Sequence, residues 1–351
     1  MYPSTFHIHH ANHDENYAWY QPCQKGTYIC YFQTKIYPSR IASVCCMDLQ
    51  LQPNNIIFEV NRTPSHQTEH PPSNIGEEGD HRHAPLTIAE QNDWIQNKFY
   101  AADPSEQDWC SRVLQTGTYW KGPDGNKGAQ FSQDVFVFRC LFFDDSGNMN
   151  KKGFYVEAGA NDYMALSMTY FFDKCLGWDG LCIEPQVQYH EQIVKHRSCR
   201  LVKKCLSTEK TDMMIGGMPK HRGGGMYVKP IPESGIIGEN WERVECEPLD
   251  SMLQQEERTE VDFFILDVEG AEMMLLETIK WETLSFGALL IENNKMTEAT
   301  KAKLDQDMSE RGYSKLHQMR IDALFAPHDK SEVRSRGEIW QPEGDVVQLQ
   351  T

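Results

Sequence analysis

The sequence predicts an α/β fold: a mostly parallel sheet with helices on both faces, finished by an antiparallel hairpin. Three observations predict it. From about residue 130 to 326, short apolar, β-prone runs alternate with stretches whose apolar residues recur at helical spacing, the pattern of successive βα units. Four of these runs end in an acid, at Glu157, Glu184, Asp267 and Glu292. Near the end of the chain, two β-prone runs stand close enough to pair as a hairpin.

Taken in order, residues 135–143 form an apolar run read as helix, and 154–158 (Phe-Tyr-Val-Glu-Ala) the first strand. Residues 163–175 carry helical spacing. A second strand covers 181–184. A helix at 186–196 should turn Tyr189, Ile193 and Val194 inward. Residues 200–206 read as a third strand ending at Ser207, 248–255 as a short helix and 262–267 as a buried strand. A helix at 271–280, a fifth strand at 288–292 and a polar-faced helix at 297–311 follow. Residues 313–319 and 322–325 make the hairpin. Residues 208–244, rich in Gly and Met and including His221-Arg-Gly-Gly-Gly225, read as an insertion or mobile loop. Residues 1–105 are dominated by Pro, His, Asn, Gln and Glu and read as a low-complexity, poorly ordered arm. The globular domain is expected over 106–330, with a charged tail at 331–351.

Composition excludes some functions. The 351 residues carry a formal net charge of −17. Sequence-independent nucleic-acid binding needs clustered Lys and Arg, and an anionic membrane surface disfavours so acidic a partner. No run approaches the ~18 apolar residues of a membrane span. The first twenty residues lack a basic stretch followed by an apolar core, so no secretory signal is expected. The eleven cysteines are scattered without a Cys-x-x-Cys pair. They read as reduced thiols, and the expected location is cytoplasmic. His7-Ile-His9-His10 has no cysteine or carboxylate at ligand spacing and reads as compositional bias.

The strand ends carry the chemistry, because ligands of open α/β sheets sit outside the carboxyl ends of the strands, where strand order reverses. The first turn reads Glu157-Ala-Gly159-Ala160-Asn161-Asp162-Tyr163 and lacks Gly-x-Gly-x-x-Gly. A pyrophosphate needs a turn free of negative charge. Two flanking acids suit instead a ligand with a cationic amino-acid end and no phosphate, which describes S-adenosyl-L-methionine. Glu184 is placed to accept from ribose hydroxyls. Asp267 points to the same crevice, while Glu269 and Glu272 enrich the first turn of a helix with acid, a contribution of ~0.3–1 kcal/mol each. Periodicity by itself does not separate a methyltransferase from a dinucleotide dehydrogenase.

Ser132-Gln-Asp134, 153–162, Leu166-Ser-Met-Thr169, 176–185, Pro248-Leu-Asp250, 266–272 and Ile291-Glu-Asn293 together resemble the FkbM-type family of class I S-adenosylmethionine-dependent methyltransferases, over roughly residues 130–326. The resemblance implies a Rossmann-like three-layer sandwich with a mostly parallel seven-stranded sheet. It implies that Glu157, Gly159, Asn161 and Asp162 form the methionine-side turn, that Glu184 holds the ribose, and that Asp267 and Glu292 line the reaction side. Ala160, Ser167, Pro185, Ser207 and Asp267 complete the expected cofactor set. Tyr163 stands where the family usually has glycine, and Met168 where it has asparagine. The expected reaction is methylation of a hydroxyl on a small-molecule, sugar or lipid-like acceptor. Asp267 is the first candidate base, with Glu292 and His317 behind it. Asp267, Glu292 and Asn293 could instead hold Mg²⁺, although no metal is expected. The alternative function is a catalytically inactive methyltransferase fold used as an interaction module.

Overall fold

Period-two alternation along the first strand sets the layering. The computed structural model describes residues 86–122, 125–143, 152–216 and 227–330, all within a compact unit spanning Arg82–Glu343. In β1 (Phe154–Ala158) every residue is buried. Phe154, Val156 and Ala158 join one apolar layer and Tyr155 the other, as opposite-facing neighbours on a strand must. A strand buried on both faces belongs inside a sheet covered on both sides.

That sheet is built from β1, β2 (Asp179–Ile183) and β3 (Arg200–Val202). After an excursion through β4 (Cys205–Leu206), β5 (Thr211–Gly216), β6 (Tyr227–Pro230) and β7 (Trp241–Glu247), it resumes with β8 (Glu260–Leu266), β9 (Ser285–Glu292), β10 (Tyr313–Met319) and β11 (Asp322–Pro327). The seven-stranded order is β10-β11-β9-β8-β1-β2-β3. β3, β2, β1, β8 and β9 run parallel, and the β10–β11 hairpin adds antiparallel to β9. This is the class I methyltransferase arrangement, and it reverses strand order between β1 and β8.

Helices cover both faces. One layer holds α1 (Ile88–Lys98), α2 (Gln107–Thr116), α3 (Gln133–Val137, continued as a π-turn to Phe142) and α4 (Tyr170–Lys174). Their Phe138, Phe171 and Phe172 pack with Phe263 of β8. α5 (Val187–His196) lies beside β2 and β3 and contributes Ile193 to that layer. The other face is covered by α6 (Leu249–Gln255), α7 (Glu272–Leu276) and α8 (Glu298–Glu310), whose Leu253, Leu276 and Leu304 meet Phe264, Leu289 and Phe325. Burying each such side chain contributes roughly 1.5–3 kcal/mol.

Several expectations are corrected. Residues 163–175 were expected to be one helix, but only 170–174 coil as α4. Asp162, Ser167 and Thr169 bond to nearby backbone and carboxylate groups instead, and Leu166 takes a left-handed φ of 66°, the local competition that removes such residues from helix interiors. The single strand expected at 200–206 breaks after Val202: β3 pairs with β2, whereas β4 pairs with β7 in a second sheet of order β4-β7-β5-β6. The segment 208–244 is therefore mostly sheet where described; His221-Arg-Gly-Gly-Gly225 lies outside the described residues. Val194 is 63% exposed rather than inward, and His190 is buried in its stead.

The expected boundary at residue 105 also moves. α1 starts with a capping box, in which Thr87 Oγ1 accepts from Glu90 N and Glu90 accepts from Thr87 N, and it buries Ile95 and Phe99 in the core. The ordered domain thus includes at least residues 86–105. The rest of the expected arm, and the tail at 331–351, lie outside the described residues.

The cysteines overturn the reading as reduced thiols. Cys110–Cys175, Cys182–Cys199 and Cys205–Cys246 are disulfide-bonded, and Cys140 is buried in the core. The expected cytoplasmic location rested on reduced thiols and loses that support. Among the described residues, no helix is long and apolar enough to cross a membrane.

Candidate active site

The carboxyl ends of β1, β2, β8 and β9 surround a cavity of about 340 Å³, of the size that takes a small ligand. The turn after β1 forms its floor. Gly159 N and Ala160 N both donate to Ile183 O, at 3.0 and 3.2 Å, which binds the turn to the end of β2. Gly159 has φ +84°, and a Cβ there would stand 2.1 Å from Asp267 O. The glycine is thus required where two strand ends meet. Asn161, also left-handed at φ 53°, lines the cavity with its Oδ1 buried and without a hydrogen-bond partner.

Glu184 is the clearest ligand-facing acid. It is 1% exposed and lines the cavity at the end of β2. Oε2 accepts from Asn161 N at 2.6 Å and Oε1 from Gln186 N at 2.8 Å, which fixes the carboxylate while leaving lone pairs on both oxygens. Burial pushes its pKa up to about 7 against those two bonds. Pro185 lines the cavity beside it.

Glu157 is engaged differently. Its side chain shares the face of Tyr155, and it accepts from Ser167 Oγ at 3.0 Å, Met168 N at 2.7 Å and Thr169 Oγ1 at 2.6 Å, with Arg197 Nη1 at 3.5 Å. Although Glu157 borders the cavity, its oxygens tie loop 167–169 to β1. Asp162 does not line the cavity: its Oδ1 accepts from Met164 N and Ala165 N at 3.0 and 2.9 Å, closing a turn. Ser167 lies behind the wall on Glu157, and Ser207 Oγ bonds Glu209 O. Tyr163 stacks on His196, with centroids 4.5 Å apart and planes at 26°, and is absent from the cavity lining, so its bulk leaves the space open. Met168 forms part of the wall.

On the opposite side, Asp267 and Glu292 line the cavity together. Burial, then the neighbouring Glu292 and Asp322 carboxylates, hold the Asp267 pKa well above the usual range. Burial and Glu272 raise Glu292 to about 7. Two carboxyl groups so placed favour a shared proton. Lys295 Nζ pairs with Glu269 and stands 3.9 Å from Glu292 Oε2. Behind them, Gln133 Nε2 donates to Asp322 Oδ2 at 2.7 Å. His317, the third candidate base, is on β10 stacked against Phe136 at 5.0 Å and does not line the cavity. Among the described residues, no group of three His, Cys, Asp or Glu side chains could hold a metal ion.

Sequence reasoning missed several wall residues. Gln130 enters from the segment before α3 and Gln133 from its first position, and Leu206, Ile215 and Val228 come from the second sheet. Among the described residues, the lining holds no Lys, Arg or His. An acid-lined space with an unpartnered amide oxygen fits a sulfonium ligand with an ammonium group and disfavours a diphosphate.

Residues 157–315 match the family model for the methyltransferase FkbM domain. The matched stretch includes the ends of β1, β2, β8 and β9 that surround the cavity. No curated protein matches the chain. Among solved structures, the METTL16 MTase domain is 11% identical, with 55% of this chain and 64% of that chain covered at a TM-score of 0.32. The chain therefore spans less than two thirds of that protein. The human methyltransferase 10 domain containing protein is 14% identical, with 55% and 78% covered and a TM-score of 0.32. Precorrin-6y C5,15-methyltransferase from Geobacter metallireducens GS-15 is 11% identical, with 55% and 86% covered and a TM-score of 0.29.

Proposed function

We propose that the domain is an S-adenosylmethionine-dependent methyltransferase that methylates a hydroxyl of an uncharged small-molecule, sugar or lipid-like acceptor. The observation that carries the reading is Glu184: a buried acid at the end of β2, held by two backbone N–H groups and open to a cavity lined by the Gly159-Ala160-Asn161 turn. Glu184 would accept from the ribose hydroxyls, and the unpartnered Asn161 Oδ1 would accept from the ammonium. S-adenosylmethionine supplies a methyl group already activated on a sulfonium.

The chain's own tasks are then to align the acceptor, exclude water and take a proton. Asp267 is the proposed base, because it lines the cavity and because burial beside Glu292 and Asp322 raises its pKa, which makes its carboxylate a stronger proton acceptor than an exposed one. Glu292 shares the proton beside it. A base so placed contributes ~10²–10⁴-fold. The acidic, cation-free lining supports an acceptor without phosphate or carboxylate groups. The three disulfides support an oxidising compartment as the working location.

The test is incubation of the full chain with methyl-labelled S-adenosylmethionine and a panel of sugars, hydroxylated lipids, amines, phosphorylated sugars and RNA. Label in a neutral hydroxyl acceptor, lost in Asp267→Asn, is the expected result. Label confined to amines, phosphorylated acceptors or RNA would overturn the acceptor assignment.

A further inference from the structure

Arg197 follows directly after α5 and is 7% exposed. Its guanidinium reaches inward on all sides. Nε donates to Asp173 Oδ2 at 2.8 Å, and Nη2 donates to Tyr155 OH at 3.1 Å. These contacts anchor it to α4 and β1. The remaining bonds go to one loop: Nη1 donates to Tyr163 O at 3.2 Å and Ser167 Oγ at 3.0 Å, and Nη2 donates to Thr169 Oγ1 at 2.6 Å. Glu157 receives the Ser167 and Thr169 hydroxyls from the strand side.

The loop so gripped carries Leu166, in the left-handed region at φ 66°, and both Leu166 and Met168 are cavity wall. A non-glycine residue in that conformation persists where its surroundings over-determine it, and Arg197 bonds the loop on both sides of it. We propose that Arg197 is a positioning residue for the cofactor pocket: it clamps the 163–169 loop in the shape that forms the cavity wall. The Cys182–Cys199 bridge supports the same task. Cys182 lies two residues before Glu184 and Cys199 two residues after Arg197, so one closed loop carries both the ligand-facing acid and the clamp. This inference rests on reading the cavity as the S-adenosylmethionine site.

The test compares Arg197→Lys with Tyr155→Phe in the full chain. Lysine keeps a charge beside Glu157 and Asp173, but one ammonium cannot span the Tyr163, Ser167 and Thr169 oxygens together. Phenylalanine removes the two core-side bonds of Tyr155 OH, to Asp173 and from Arg197, and leaves every loop contact of Arg197 in place. At a temperature where circular dichroism shows both variants folded, the Kd for S-adenosylmethionine is expected to rise at least tenfold in Arg197→Lys and less than threefold in Tyr155→Phe. Amide hydrogen exchange at 164–168 in ligand-free protein is expected to speed up only in Arg197→Lys. If Arg197→Lys does not fold, Thr169→Val removes one arm of the clamp and is expected to weaken binding in the same direction. A lowered Tm with unchanged Kd and unchanged exchange would overturn the proposal, as would equal effects in both variants. Absence of binding by folded wild type defeats the cofactor reading and the positioning role with it; the exchange result distinguishes that failure from failure of the clamp.

Discussion

Gly159→Ala probes how tightly the end of β1 is bound to the end of β8. The glycine has φ +84°, and its added Cβ would lie 2.1 Å from Asp267 O, against ordinary contacts of 3.4–4 Å. The two strand ends must separate by more than an ångström to admit it. Asp267 N donates to Ala158 O at 3.2 Å across that junction, so the bond stretches beyond useful range. A left-handed alanine costs ~1–2 kcal/mol, overpacking ~1–3 kcal/mol and the lost bond ~0.5–1.5 kcal/mol. The total is about 3–6 kcal/mol, a large share of the ~5–15 kcal/mol that holds a typical domain folded. Urea unfolding of wild type and variant measures it. Any surviving folded variant should also lose activity on the order of 10²-fold, because Asp267 is displaced by about 1 Å. A destabilisation below about 1 kcal/mol would refute the reasoning.

Three further predictions concern acids and disulfides. Glu184 and Glu292 have folded pKa values of about 7, raised from 4.5 chiefly by burial. The native state therefore binds more protons than the unfolded chain between those values, and stability is highest at the acid end and falls as pH rises through 7. The rise at Glu184 corresponds to roughly 3 kcal/mol, so Tm should be lower at pH 8 than at pH 5.5, and Glu184→Gln should flatten that slope. Asp267→Asn is expected to lower kcat by ~10²–10⁴-fold with a smaller effect on S-adenosylmethionine affinity, read by single-turnover transfer beside calorimetry. Removing the Cys182–Cys199 bridge, of sequence separation 17, should cost ~3 kcal/mol in unfolding free energy on the chain-entropy account, and mass mapping without reductant should find these two cysteines joined.

How much was legible beforehand follows from what each residue's neighbours are. Phe154–Ala158 shows as a short β-prone run because it is buried on both faces, Val187–His196 shows by helical spacing because one face packs on the core, and the Tyr313–Pro327 hairpin shows as two β-prone runs either side of a short turn. Glu184 stands out in the sequence because it follows Glu157 as the second of two acids that end successive apolar strands. Loop 161–169 misled because Met164, Leu166 and Met168 supply apolar character while Asp162, Ser167 and Thr169 compete for the backbone, and apolar spacing does not weigh that competition. Glu157 borders the cavity, but its saturation by Ser167, Met168, Thr169 and Arg197 depends on a chain reversal that local sequence does not show. Arg197 sits in a basic run, Lys195-His196-Arg197, of the kind that commonly ends a helix, and nothing local marks it off from its neighbours. The disulfides join cysteines 17 to 65 residues apart, and pairing at such separations is decided by the fold rather than by spacing.

The most direct test of the central claim is calorimetric titration of the full chain with S-adenosylmethionine, with Glu184→Ala in parallel. Wild type should bind one equivalent at micromolar affinity. The variant, folded by circular dichroism, should bind at least a hundredfold more weakly, since the acid's two or more charge-assisted bonds contribute about 1.5–3 kcal/mol each. Undiminished binding by Glu184→Ala, or none by folded wild type, would contradict the assignment of this cavity to the cofactor.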